Sequence, residues 1–250
     1  MRMFTTPFSP AARAARRRGR LARSAPPGPL LEVLSRRVNG PDTPLRKAKL
    51  LAVDIETTGL NPRTDLVLSM GWVPVDGLTI RLAGAGGCLV RPPSSKGRRA
   101  AGSQGARASG DVGQSAAVHG LTDDVVAAGL PLDEALDLLL TALPGRILLA
   151  HYAAIERDFL AAASRALHGI DLPLTTVDTL ELQRLIVAGP EGAGFRPGKL
   201  RLGAAREHFG LPRYRAHDAL TDALACAELY LAQVSQLGAR GDLQLGRILD

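Results

Sequence analysis

Cysteine is nearly absent from this 250-residue sequence, with only Cys88 and Cys226. That excludes a disulfide-rich scaffold and any zinc site built on cysteines, and it fits a reducing, intracellular compartment. Aromatic residues make up 4%. A core must therefore rest on Leu, Val and Ala, and a base-stacking platform for single strands is excluded. No apolar run approaches the ~20 residues that a membrane span needs. No membrane association and a cytoplasmic location are expected. Acid is missing from residues 1–31, which instead hold seven arginines: Arg2, Arg13, Arg16, Arg17, Arg18, Arg20 and Arg23. The formal charge of the chain is +7, so the remainder is neutral overall. The globular part is not a basic wrapping module, and its function must come from a site.

The length suits one sizeable domain with room for a tail or long loop. Residues 1–31 contain Ala, Arg, Pro and Ser without apolar periodicity, and they read as a solvated basic tail. A secretory signal is disfavoured because no apolar stretch follows the basic part, whereas an organellar transit peptide fits the composition. Residues 49–58 begin as a near-continuous apolar run, the pattern of a central strand buried on both faces. Two more strands are expected over 66–75 and 78–90, joined by a hairpin at Asp76-Gly77. Residues 92–115 are rich in Pro, Ser, Gly, Arg and Ala and read as a flexible insertion. Helices are expected at 131–143, 152–167, 179–188, 199–209 and 217–236, with short strands at 147–150 and near 176–177. Strands first, then alternating helix and strand, imply an α/β domain with a mixed sheet.

Carboxylates interrupt this apolar pattern at three places. Asp54 and Glu56 lie two apart in the first strand, so both leave the same face, roughly 7 Å apart along the backbone. An exposed strand end beginning a turn would also account for such a pair. At about 100° per residue, Glu156 falls within about 60° of Tyr152, Phe159, Leu160 and Ala163, whereas Asp158 lies about 200° away, beside Arg165. Glu156 therefore sits on the apolar stripe, or at its edge with its head reaching solvent. Asp222 shares a face of the last, mostly apolar helix with Ala219, Ala225, Cys226 and Leu229. His217 stands at the start of that helix, where a local hydrogen bond is the ordinary role.

Taken together, the acids are more informative. Four carboxylates brought into one pocket cannot all ionise without compensation. Two divalent cations would balance them, and all-oxygen ligands select hard ions, Mg²⁺ or Mn²⁺. Two such ions about 4 Å apart suit in-line displacement at phosphorus. A histidine beside them is a natural general base for water.

With these residues in place, the sequence resembles the DEDDh 3′–5′ exonucleases, the DnaQ-like group that includes the proofreading epsilon subunit of bacterial replicative polymerase. The first motif resembles Asp54-Ile-Glu56-Thr57-Thr58-Gly59-Leu60. The second resembles His151-Tyr-Ala-Ala-Ile-Glu156-Arg-Asp-Phe159-Leu160, and the third His217-Asp-Ala-Leu-Thr-Asp222-Ala-Leu-Ala. Val118-His119-Gly120-Leu121-Thr122 and Val177-Asp178-Thr179-Leu180 are weaker similarities. The resemblance implies a ribonuclease H-like fold, a five-stranded mixed sheet flanked by helices. It implies that Asp54, Glu56, Glu156 and Asp222 hold two Mg²⁺ or Mn²⁺ ions, that His217 deprotonates the attacking water, and that nucleoside 5′-monophosphates leave from a 3′ end. Thr57, Leu60 and His119 match positions that contact the terminal nucleotide. The second motif departs from the usual pattern, with Glu156 for Asp and Tyr152 for Asn.

The expected organisation is a basic disordered tail over 1–31, a connecting segment over 32–47, an exonuclease domain over 48–236 and a C-terminal extension over 237–250. The expected partner is a nucleic-acid 3′ end, single-stranded DNA foremost. A DNA polymerase partner has no evident docking motif to support it. An exoribonuclease of the same family and a non-catalytic nucleic-acid-binding subunit are the competing readings.

Overall fold

The computed structural model describes residues 10–93, 121–188, 197–215, 217–238 and 243–249. The sheet is built from β1 (Lys49–Thr57), β2 (Val67–Asp76), β3 (Thr79–Ile80), β4 (Gly86–Leu89), β5 (Ile147–Ala150) and β6 (Thr176–Asp178). Its order is β3-β2-β1-β5-β6, with β4 also paired to β2. β1 runs antiparallel to β2 and parallel to β5, and β5 is parallel to β6. This is the mixed sheet expected from the sequence, with one difference. The strand expected over 78–90 is broken by a 3₁₀ turn at Leu82–Gly84, so β3 and β4 share one lane along β2. The Asp76-Gly77 hairpin is present. Gly77 adopts φ +62°, and a Cβ there would meet the Arg46 carbonyl.

Helices cover both faces: α1 (Pro10–Ala22), α2 (Pro29–Ser35), α3 (Asp123–Ala127), α4 (Leu132–Ala142), α5 (Ala154–His168), α6 (Thr179–Ala188), α7 (Leu202–His208) and α8 (Ala219–Leu237). The alternation along β1 determines what each face meets. Leu51, Val53 and Ile55 join a core with Leu136, Leu139 and Leu140 of α4 and Phe159 and Leu160 of α5. Leu50 and Ala52 point the other way, into a second core with Ala223, Cys226, Ala227 and Tyr230 of α8. The same alternation directs Asp54 and Glu56 to the α8 face.

The ends of the chain depart from expectation. Residues 10–22 of the basic segment and residues 29–35, which straddle its end, are helical, and Leu30, Val33 and Leu34 are buried in the first core. Arg18 anchors α1 by donating to the carbonyls of Val33, Arg36 and Pro173. The segment 32–47 and the C-terminal extension are tied to each other. The amide of Leu45 donates to Leu243 O at 3.0 Å, and that of Leu245 to Thr43 O at 2.8 Å. Leu45, Leu245 and Ile248 complete the second core. The insertion over 92–115 lies, from residue 94, outside the described residues, as does His119.

Candidate active site

The acids meet where the outgoing end of β1 passes the first turn of α8 and the first turn of α5. Asp54 and Glu56 leave β1 on the α8 side. β1 shifts register against β2 between Glu56 and Thr57, which turns the end of the strand at the site. Asp54 lies opposite Gly71 of β2. A Cβ on Gly71 would come within 2.4 Å of the Ala219 and Leu220 backbone. The missing side chain lets the N-terminus of α8 rest on the sheet, and Asp222 is in that first turn.

The entry to α8 is shaped by two aspartates. Asp218 caps the helix, its Oδ1 accepting from the Thr221 amide at 2.9 Å. Asp222 Oδ2 accepts from the His217 amide at 2.7 Å. That bond holds His217 at φ +70°, a left-handed conformation that non-glycine residues rarely adopt. His217 is exposed, at the mouth of the cleft. Glu56, His217 and Asp222 each bring one ligand atom within 4.8 Å of the others.

Glu156 arrives from the opposite side on α5 and is buried. Asp178, at the end of β6, accepts from the amides of Tyr152 at 2.9 Å and Ala153 at 3.0 Å, and from Leu180 at 2.8 Å. This carboxylate fixes the start of α5, where Tyr152 also has a positive φ of 75°. Glu156 is thereby aimed inward, and its Oε2 is buried with no hydrogen-bond partner among the described residues. Asp158 is exposed, pairs with Arg157 at 2.9 Å and lies outside the cleft. The helical phase separates the two acids as the sequence suggests.

The electrostatics follow from this crowding. Burial, and then Glu156, Glu56 and Asp222, push the Asp54 carboxyl well above the usual carboxylate range. Burial, then Asp222 and Asp218, raise Glu56 to about 7. Burial, with Asp178 and Glu56 adding to it, raises Glu156 to about 8. Asp222 is also raised by burial, against the opposing His217 amide bond. A site that makes four carboxylates reluctant to ionise, and leaves one buried oxygen unpartnered, fits divalent cations with oxygen ligands.

These groups line one cleft of about 920 Å³. Thr57 is buried, its hydroxyl donating to Gly59 O at 2.6 Å, while Leu60 is 74% exposed in the cleft wall. His151 lies in the wall but is held by Leu200 O at 2.7 Å and Thr179 Oγ1 at 2.8 Å. Arg206 is buried beneath the cleft and donates to Ala225 O, Pro212 O and Glu228. Its guanidinium also lies 4.6 Å from the Tyr214 ring centroid, bracing the segment before His217. Gly71 and Arg206 escape sequence reasoning. A lone glycine inside an apolar strand is the signal that could reveal the first; the second offers none.

A family model described as Exonuclease matches residues 108–230, taking in the second and third motifs. This stretch of the chain carries an exonuclease domain. Among curated relatives, it is 26% identical over 208 residues to a DNA polymerase III PolC-type of Thermotoga petrophila, covering 83% of this chain and 13% of that protein. It is 30% identical over 211 residues to a DNA polymerase III subunit epsilon-like protein of Rhodobacter capsulatus, covering 83% and 27%. The chain thus spans only a small part of these relatives. Among solved structures, Escherichia coli exonuclease I in complex with a dT13 oligonucleotide superposes with a TM-score of 0.57 at 16% identity, over 78% of this chain and 42% of that one. Cell-death related nuclease 4 gives 0.56 at 17%, over 77% and 65%. These likenesses establish the ribonuclease H-like fold of this exonuclease domain. Among the described residues, no helix is long and apolar enough to cross a membrane.

Proposed function

We propose that this chain is a metal-dependent 3′–5′ exonuclease that removes nucleoside 5′-monophosphates from the 3′ end of single-stranded DNA. The observation that carries this reading is the convergence of Asp54, Glu56, Glu156 and Asp222 from three elements into one cleft, all with raised affinity for protons. These four would hold Mg²⁺ or Mn²⁺, two ions per site. When bound, the ions supply charge stabilisation at the scissile phosphate and acidify the attacking water.

The chain's own groups do the rest. His217, at the mouth of the cleft, accepts the proton of the attacking water on a ring nitrogen. The water oxygen bonds to the terminal phosphorus as the bond to the 3′ oxygen of the preceding nucleotide breaks, and that oxygen takes a proton from solvent. Asp222 holds the His217 backbone and so positions the base. Thr57 and Leu60 form the wall against which the terminal nucleotide sits, joined by His119 in the family's pattern. The single strand is favoured by the exonuclease I complex with an oligonucleotide. The polymerase III names of the relatives support a polymerase partner.

The test is turnover of matched 3′-labelled single-stranded DNA and RNA with Mg²⁺, Mn²⁺ or EDTA, beside the Asp222→Asn variant. Metal-dependent release of 5′-monophosphates from DNA is expected. Asp222→Asn should lose more than about 100-fold in kcat while melting no lower than the parent, since it relieves a like-charge repulsion. Near-normal turnover in that variant would refute the ligand assignment, and preference for RNA would move the substrate to the ribonucleotide reading.

A further inference from the structure

Part of the chain's positive charge has a defined place in the fold. Arg17 and Arg18 of α1, with Arg63, Arg157 and Arg165, line a groove of about 660 Å³ whose acids are Asp158 and Asp171. Asp171 is shared, accepting from Arg17 at 2.8 Å and from Arg165 at 2.6 Å. These pairs are about half exposed. Exposed pairs of this kind hold weakly, so a phosphate can take over the guanidiniums without stranding a buried charge. Arg18 is the anchor that keeps α1 in this position.

The groove adjoins the acidic cleft through two short connections. Leu60 lies in the wall of the cleft and Asn61 in that of the groove; likewise Glu156 in the cleft and Arg157 in the groove. A strand leaving the cleft therefore meets this surface directly. Among the described residues no aromatic side chain lines it, so it offers backbone contacts and no stacking. Guanidiniums match phosphate oxygens in geometry as well as charge.

We propose that this groove binds the phosphodiester backbone of the single strand whose 3′ end enters the cleft. The proposal rests on the exonuclease reading of that cleft. Without metal the cleft offers a phosphate no bound cation, so the groove supplies the affinity in that state. Contact with the backbone alone makes it indifferent to base sequence and sensitive to salt.

The experiment uses the full chain, a long oligothymidylate and EDTA, with affinity followed across a salt series. The triple variant Arg17→Gln/Arg63→Gln/Arg165→Gln should bind at least about tenfold more weakly at low salt. Its plot of log affinity against log salt should be shallower by about 2, since each phosphate left without its arginine lowers the slope by about 0.7. Asp171→Asn removes a competing carboxylate and should tighten binding, a gain that a misfolded protein would not show. In turnover with Mn²⁺, the triple variant should raise KM for the long strand and leave kcat alone. Equal affinity and slope in parent and triple variant would overturn the proposal. Hydrolysis of a thymidine dinucleotide by the unaltered chain tests the cleft separately. If that fails while groove binding behaves as described, the exonuclease reading falls and the groove stands.

Discussion

Glu156 carries one methylene more than an aspartate would at the same position. Its reach is set by a helix whose start is fixed by Asp178. Shortening it withdraws the oxygen that is buried without a hydrogen bond. Glu156→Asp is expected to lower kcat by about tenfold or more. Asp158→Ala should tighten binding of a long strand without a cost in turnover. A kinetic comparison of the two variants checks this, and loss of activity in the second alone would transfer the role to Asp158. At this scale much is legible in the sequence. A period of two assigns Asp54 and Glu56 to one face, and a 100° step separates Glu156 from Asp158. Arg206 is not legible, because its role depends on the Ala225 and Pro212 carbonyls and on Glu228, which only the tertiary fold brings to it.

Among the elements, the seating of α8 on β2 governs the site. Gly71 faces the backbone of Ala219 and Leu220 with no space for a methyl group. Gly71→Ala must push the first turn of α8 away from the sheet, and Asp222 and His217 move with it. Overpacking of this kind typically costs about 1–3 kcal/mol. A melting temperature lower by about 3–10 °C is expected, with a larger fractional loss of turnover than Leu78→Ala, an exposed change on the hairpin. Calorimetry and kinetics on both variants decide it. The elements themselves are largely visible as apolar periods, and the break in the third strand is not. Leu82 is exposed in a 3₁₀ turn, so its apolar character gives a false continuation of the strand. α1 is hidden by composition, since its anchorage lies in arginine bonds to carbonyls that no periodicity reports.

For the whole molecule, the raised carboxylates make stability depend on pH. An unfolded glutamate titrates near 4.3, whereas Glu56 and Glu156 hold their protons to about 7 and about 8. Below about 4 both the folded and the unfolded chain are protonated, and the stability these protons bring is fully present. Between the unfolded and folded values, the native state binds more protons than the unfolded chain, so stability falls as pH rises, and the fall is complete once the pH has passed about 8. In EDTA, the melting temperature should decline from pH 5 to 8. Glu156→Gln should flatten that decline and melt higher at pH 8 by about 3 °C or more. An ion held by these carboxylates would bind only the native state and displace protons, so the stabilising shift that Mn²⁺ brings should be larger at pH 8 than at pH 6. Thermal scans across pH with and without the ion check both slopes; a parent flat in EDTA would contradict them. The contributions of Leu30 and Leu245 to the two cores also belong to this scale. Short apolar stretches near the chain's ends lack the length to announce a period, and only the packed fold shows what they cover.

The acids come from β1, α5 and α8, nearly the first and last elements of the domain. A ribosome adds about 5–20 residues per second and releases the chain N-terminus first. Asp54 and Glu56 are therefore translated well before Asp222 and His217. Until α8 docks, the cleft of the growing chain lacks Asp222 and His217. On the exonuclease reading, a nascent chain has no assembled cleft, and the capacity to cut a nucleic acid arises only as α8 docks.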